Sequence, residues 1–148
     1  MEEWMKEPTR QEWQELGFFY DRDDSAKEWL IVGSRAGLLR FADLLRRYAA
    51  NPRNEMKSEH EHYGPYMDLE IMTWTEAGMD DHAIHGSVRD LIRLASLIEG
   101  KVATLQSGER ARIREEFSPR ALYSLVLDLR GDSFDPASAD GNLVEPAG

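Results

Sequence analysis

Apolar residues recur along this chain in two rhythms, every second position or every third and fourth, and the switches between them mark its elements. Trp29-Leu30-Ile31-Val32 is a short apolar run suited to a strand, and Gly33-Ser34 follows it. Leu38, Phe41, Ala42, Leu45 and Tyr48 then repeat at helical spacing while Arg40, Asp43, Arg46 and Arg47 fall off that stripe, which predicts an amphipathic helix to about residue 50. Ser34 is placed to cap it and Asn51-Pro52 to end it. The succession returns at Ile84-His85-Gly86-Ser87 with the stripe Val88, Leu91, Ile92, Ala95, Ile98 and Val102, where Ser87 and Asp90 have capping-box spacing and Gly100 weakens the last turn. Runs rich in pleat-compatible residues predict strand pairs at 56–63 with 66–74 and at 111–117 with 122–130. A short strand at 18–21 would pair with Trp29-Val32 through the turn Asp23-Asp24-Ser25, and 9–16 reads as a short helix carrying Trp13.

The two successions are alike in letters as well as rhythm. Residues 31–44 align without a gap on 84–97, an offset of 53, with seven of 14 positions identical, and Tyr63-Gly64-Pro65 then corresponds to Phe117-Ser118-Pro119. The pattern implies an internal repeat of β-α-β-β units at about 28–74 and 82–130 behind an amino-terminal extension, 1–22. Duplicated units with short connections predict a single α+β domain over 1–131: one mainly antiparallel sheet of six or seven strands with two helices on one face. Residues 132–148, with Pro136, Gly141 and Pro146 and no sustained period, read as an extended or disordered acidic tail. The helix-free face needs cover, because Trp29-Val32 is apolar on both sides and Leu125, Leu127 and Leu129 alternate with Val126. The amino-terminal segment with Trp4 and Trp13, a second copy in a homodimer, or another protein could supply it.

Composition narrows the function more than the fold. At 148 residues the chain can bury a core without staples, and the absence of cysteine removes thiolate chemistry, disulfides and Cys-ligated metals. The net charge of −10 disfavours nucleic acid and anionic membranes as partners. Residues 1–28 carry −5 and 128–148 carry −4, so the acidity belongs to the two ends. No apolar run spans a membrane and Met1-Glu2-Glu3-Trp4 lacks the start of a secretory signal, so the expected location is the cytoplasm.

All four histidines, His60, His62, His82 and His85, lie within 60–85. On a strand His60 and His62 share a face at a spacing seen in metal sites, and His82 and His85 stand beside Asp80 and Asp81, which makes a divalent transition metal the one cofactor worth weighing. A tight turn at Tyr63-Gly64-Pro65-Tyr66 would put His60 and His62 on one face with Met67 and Leu69, and Glu59 and Glu61 on the other with Asp68 and Glu70. The ligands would then diverge, and the plainer reading is hydrogen bonding across the hairpin or the lining of a binding surface. Gly33-Ser34 and Gly86-Ser87 could hold an anion at a helix start, but without P-loop or dinucleotide fingerprints they read as caps. No nucleophile elbow or catalytic triad is legible, Asp132 to Asn142 lacks EF-hand spacing, and Arg130-Gly131-Asp132 at a strand end is a chance tripeptide. The chemistry leans away from an enzyme.

Ile31-Val32-Gly33-Ser34-Arg35-Ala36-Gly37-Leu38-Leu39 followed by His60-Glu61-His62 resembles the immunity protein 32 family of bacterial polymorphic-toxin systems over about 31–70. That pattern has a strand, a Gly-Asn/Ser turn, a Gly-Leu-Leu helix and a His-x-His strand; here Glu59 precedes the His-x-His and Tyr63-Gly64-Pro65 follows it, where the family has Gly and Leu-Asp. The resemblance implies a small acidic protein that neutralises a toxin by binding it. Glu59, Glu61 and Asp68 would steer a basic partner and Tyr63, Tyr66 and Trp74 would anchor it, Trp74 having core packing as its alternative. Two other functions compete: a metal-binding protein or metal-dependent hydrolase using His60, His62, His82 and His85, and a structural homo-oligomer subunit.

Overall fold

In the computed structural model, which describes residues 1–144, the chain runs α1 (Glu3–Leu16), β1 (Phe19–Asp23), β2 (Glu28–Gly33), α2 (Arg35–Ala50), β3 (His60–Tyr63), β4 (Leu69–Thr73), β5 (Gly78–Met79), β6 (Ile84–Gly86), α3 (Val88–Thr104), β7 (Arg110–Ile113) and β8 (Ser124–Leu129). The helix starts follow from their caps. Ser34 Oγ accepts the Gly37 N–H at 3.1 Å, and Ser87 with Asp90 forms a reciprocal capping box. The predicted apolar stripes face inward on both helices: Leu38, Phe41, Leu45 and Tyr48 on α2 and Leu91, Ala95, Ile98 and Val102 on α3 are buried. Val88 is half-buried and Ile92 exposed, so the second stripe is narrower than its spacing suggested.

The strands do not form one mainly antiparallel sheet of six or seven. They form two separate four-stranded mixed sheets, β1-β2-β8-β7 and β3-β4-β6-β5. In each, one parallel pair (β2 with β8, β4 with β6) is flanked by two antiparallel ones. Short connections favour pairing between sequence neighbours, and that preference underlies the expected single sheet. The hairpins β1-β2, β3-β4, β5-β6 and β7-β8 obey it, but β2 pairs with β8 across most of the chain and β4 passes over the short β5 to pair with β6. The sign of this was the double-sided apolarity of 29–32 and 125–129: all of β8 is buried, as a central strand in a parallel pair should be.

The helices correspondingly do not lie on one face of a single sheet. α2 and α3 pack mainly on each other; α2 also meets β2 and β8, and α3 meets β6, β7 and β8. Trp29, Ile31, Leu125, Leu127, Leu69, Ile71, Ile84, Phe41, Leu45 and Ile98 belong to one apolar cluster that spans both sheets. On the opposite face of β2 and β8, Leu30, Val32 and Val126 lie among charged side chains. Arg110 and Arg130 pair with the buried Asp128 at 3.0 and 2.9 Å, and Arg112 reaches Glu28 at 3.4 Å. Long arginine stems cover apolar surface while their heads stay solvated, so this face is roofed from within the chain.

Both ends of the described part of the chain close onto β1. α1 starts at Glu3, earlier than the expected 9–16, and buries Trp13 at 1% exposure while Trp4 stays exposed. The segment after β8 is not extended as far as it is described. It makes a 3₁₀ turn at Pro136–Ala139 beside α1 and buries Ala137 and Leu143. The part of the expected tail at 145–148 lies outside the described residues.

The start of α2 presses on the end of α1: a Cβ built on Gly37 would stand 2.4 Å from the Gly17 carbonyl oxygen, whereas Gly100 in α3 has nothing within 4 Å. Gly37→Ala should therefore destabilise by about 1–3 kcal/mol, the usual cost of overpacking, and Gly100→Ala should stabilise by about 0.5–1 kcal/mol through helix propensity. Urea unfolding followed by far-ultraviolet circular dichroism checks both signs.

Candidate interaction surface

The connection between β3 and β4 is held in an uncommon backbone conformation. It occupies 64–68 instead of a two-residue turn, because Pro65 opens a 3₁₀ turn at Pro65–Met67 in which Tyr66 and Met67 take φ of 68° and 58°. Left-handed backbone at two residues with side chains costs roughly 1–2 kcal/mol each, so neighbouring contacts must hold it. Tyr20 supplies several: its hydroxyl donates to the Pro65 carbonyl and accepts the Asp68 N–H at 3.1 Å. Gly64, at φ +76°, lets the loop lie on these side chains, since a Cβ there would meet Tyr20 Cε1 at 2.7 Å and Leu16 Cδ2 at 2.8 Å.

The loop changes the register, and with it which side chains share a face. His62 is opposite Glu70 and His60 opposite Met72, so imidazoles and a carboxylate lie together where the tight turn predicted separation. His62 Nε2 is 3.4 Å from Glu70, and the rings of His60 and His62 meet edge-on at 5.3 Å. His85 is on the same face beyond Met72, its Nε2 3.6 Å from Asp80 Oδ2, and His82 sits in the loop before β6, where its N–H donates to Asp80 Oδ1 at 2.8 Å. His60 and His85 are two strand spacings apart, roughly 9–10 Å between backbones. Among the described residues no group of three or more His, Asp or Glu side chains is placed to hold a metal ion.

The six expected contact residues fall in four places. Tyr66 and Asp68 line a cleft of about 340 Å³ with Trp13 of α1, Phe19, Tyr20 and Asp21 of β1, and residues 139–142. Glu61 and Tyr63 turn instead toward a groove of about 330 Å³ beside Arg40, Arg47 and Tyr48 of α2, where the Tyr63 hydroxyl donates to Glu61. Glu59 pairs with Arg53 at 3.1 Å. Trp74 is half-buried beneath the Lys57 ammonium, 4.4 Å from its ring centre, so it is neither a full core residue nor part of the cleft. Ser34 and Ser87 are occupied by capping.

The cleft has an acidic floor. Asp140, 4% exposed, accepts the Trp13 indole N–H at 2.8 Å and the Tyr66 hydroxyl at 2.6 Å on Oδ2, and the Asn142 N–H at 2.9 Å on Oδ1. All three donors are neutral groups, so none of them supplies a countercharge. Trp13 is also the hub of the walls, with ring centres of Phe19, Tyr20 and Tyr66 at 4.9, 5.2 and 6.3 Å. Burial pushes the Tyr20 phenol up to about 12, and burial together with the bond to Asp140 does the same for Tyr66. Both phenols are therefore neutral donors at physiological pH. Sequence reasoning missed Trp13, Tyr20, Asp21 and Asp140 as site residues. The concentration of acid at the two ends was the available signal, because the cleft is where those ends meet.

Comparison with known proteins adds one match: residues 28–75 fit the model of the immunity protein 32 family, the family that the strand, Gly-Leu-Leu helix and His-x-His strand resemble. The matched segment runs from β2 through α2 to β4 and includes the loop bearing Tyr66 and Asp68. No curated protein and no solved structure matches the chain. No helix among the described residues is long and apolar enough to cross a membrane.

The phenols carry a testable pH dependence. A phenol whose folded pKa is raised from 10 to about 12 contributes stability that is complete below pH 10 and lost as pH climbs through 12. The native protein should show phenolate absorbance lagging behind that of the denatured chain, and its urea midpoint should fall between pH 10 and 12. Tyr66→Phe should remove part of that fall; native titration complete near pH 10 would contradict the burial of these hydroxyls.

Proposed function

We propose that this protein is an immunity protein, a non-enzymatic inhibitor that neutralises a bacterial toxin domain by binding it directly, and that the cleft of Tyr66 and Asp68 is central to the contact. The observation that carries this reading is the coincidence of the family match with the constrained loop: residues 28–75 contain the segment whose left-handed backbone delivers Tyr66 and Asp68 to the cleft. Strain of this kind persists where surrounding structure over-determines it, and it concentrates at sites of recognition. A cleft rimmed by Asp21 and Asp68, on a protein of net charge −10, favours a basic partner and speeds its encounter. Action in the cytoplasm, where a toxin must be met before it reaches its target, belongs to the same proposal.

The same reading takes the second half as an internal repeat of the first. It is supported by the strand-strand-helix-strand-strand order that occurs twice, and by the ion pair at 2.7 Å between Arg46 and Glu99, which stand 53 positions apart, the repeat offset. Nothing specific favours the metal-dependent or the homo-oligomeric function.

The test is neutralisation of the toxin domain encoded beside the gene, with calorimetry of the purified pair. Asp68→Lys should weaken binding about tenfold or more, chiefly through the association rate and most at low salt, and Tyr66→Ala should cost about 2 kcal/mol if it is an anchor. Glu59→Lys, already paired with Arg53, should change affinity little. A toxin that stays fully active with an equimolar amount of this protein would end the proposal.

A further inference from the structure

Four aromatic rings and three carboxylates line one cleft, and no lysine, arginine or histidine is among its lining residues. Several carboxylates elsewhere, Asp128, Glu28, Glu59, Glu99 and Glu116, meet a basic side chain within 4 Å. Asp21, Asp68 and Asp140 do not, among the described residues. Asp140 is the decisive one: the residue is 96% removed from solvent, only neutral donors reach its carboxyl group, and no basic side chain pairs with it among the described residues. An exposed carboxylate needs no counter-ion, whereas a buried one gains strongly from it.

The walls specify the counter-ion further. The faces of Trp and Tyr attract organic cations through their ring quadrupoles, and they do so best where water is excluded. A hydrated metal ion would forgo that attraction, and the carboxylates are not grouped to ligate one. The volume of about 340 Å³ admits a side chain and excludes a folded element.

We infer that this cleft is the seat of a single lysine or arginine side chain presented by the protein partner, its cationic head between the Asp21 and Asp68 carboxylates above Asp140 and its stem against the exposed ring of Tyr66. This deepens the proposed function and rests on it for the identity of the partner, but the cleft's preference for a basic side chain can be measured without that partner. Tyr20 and Tyr66 stay neutral, so the aromatic walls add no competing charge.

The probe is N-acetyl-arginine amide, titrated at millimolar concentrations into the full-length protein, with its uncharged isostere N-acetyl-citrulline amide alongside. The readout is the Trp13 indole N–H and the backbone amides of 66–68 and 140–142 in proton–nitrogen spectra. Saturable shifts confined to these signals, absent with citrulline and weakened about tenfold or more in Asp68→Asn and Asp21→Asn, are expected if each carboxylate contributes a charge-assisted contact. Both aspartates are exposed, so these variants should fold even if Asp140→Asn does not. Equal shifts with citrulline, shifts reproduced by sodium or calcium chloride at matched ionic strength, or unchanged binding in both variants would overturn the inference. In any of those cases toxin neutralisation by the wild-type protein would leave the proposed function standing, whereas arginine binding without neutralisation would do the reverse.

Discussion

The parallel pairing of β2 with β8 and of β4 with β6 is the constraint on which the rest of this structure depends. Each sheet takes one hairpin from the first half of the chain and one from the second, and the parallel contact at its centre joins them. Trp29 is set beside Leu125 and Ile31 beside Leu127 only by that contact, and Ile71 beside Ile84 by its counterpart. Neither half can complete a sheet alone. The helices repeat the arrangement, since α2 and α3 bury much of their apolar surface against each other and the remainder against strands of both halves. Closing the loop between β2 and β8 is costly before the contacts reward it, whereas β3 to β6 lie within 60–86, so it is the apolar cluster shared by both sheets and both helices that should make them form together.

The cleft inherits its rigidity from this interlock. β1 is held by β2, and its Tyr20 holds the loop at Pro65 and Asp68, tying one sheet to the connection of the other. α1 is fixed at its end by the contact between Gly17 and Gly37 and by Arg40, whose guanidinium donates to the Glu15 carbonyl at 2.6 Å. That places Trp13. Asp140 is placed by burial of Ala137 and Leu143 on either side of it in sequence. Three stretches remote in the chain thus meet around one carboxylate, and one aspartate from each acidic end, Asp21 and Asp140, comes to line the same cleft.

How much of this could be read from the amino-acid order follows from the range of each interaction. Capping by Ser34 and Ser87 and the apolar stripes of α2 and α3 are local, and they were legible. So was the likeness of the strand, Gly-Leu-Leu helix and His-x-His strand to the immunity protein 32 family. The partition of strands into two sheets was not, because parallel pairing leaves no local mark beyond the double-sided apolarity of 29–32 and 125–129, which fits a central strand and an uncovered face equally well. The face shared by His62 and Glu70 was misjudged for a narrower reason: Tyr66 and Met67 adopt left-handed backbone that their side chains disfavour, and the longer loop shifts the register by three, an odd number that inverts every assignment. Tyr66 and Asp68 were singled out from the sequence as contact residues and lie together in the cleft, but Trp13 and Asp140, remote in sequence, have no signal that pairs them.

Native-state hydrogen exchange tests the interlock most directly. If both sheets depend on the two parallel contacts, the amides of β2, β8, β4 and β6 should exchange with one common opening free energy equal to that of global unfolding, with the same denaturant dependence. Exchange of β3, β4, β5 and β6 through a separate, lower-energy opening while β2 and β8 stay protected would show the sheets to be independent and contradict the account.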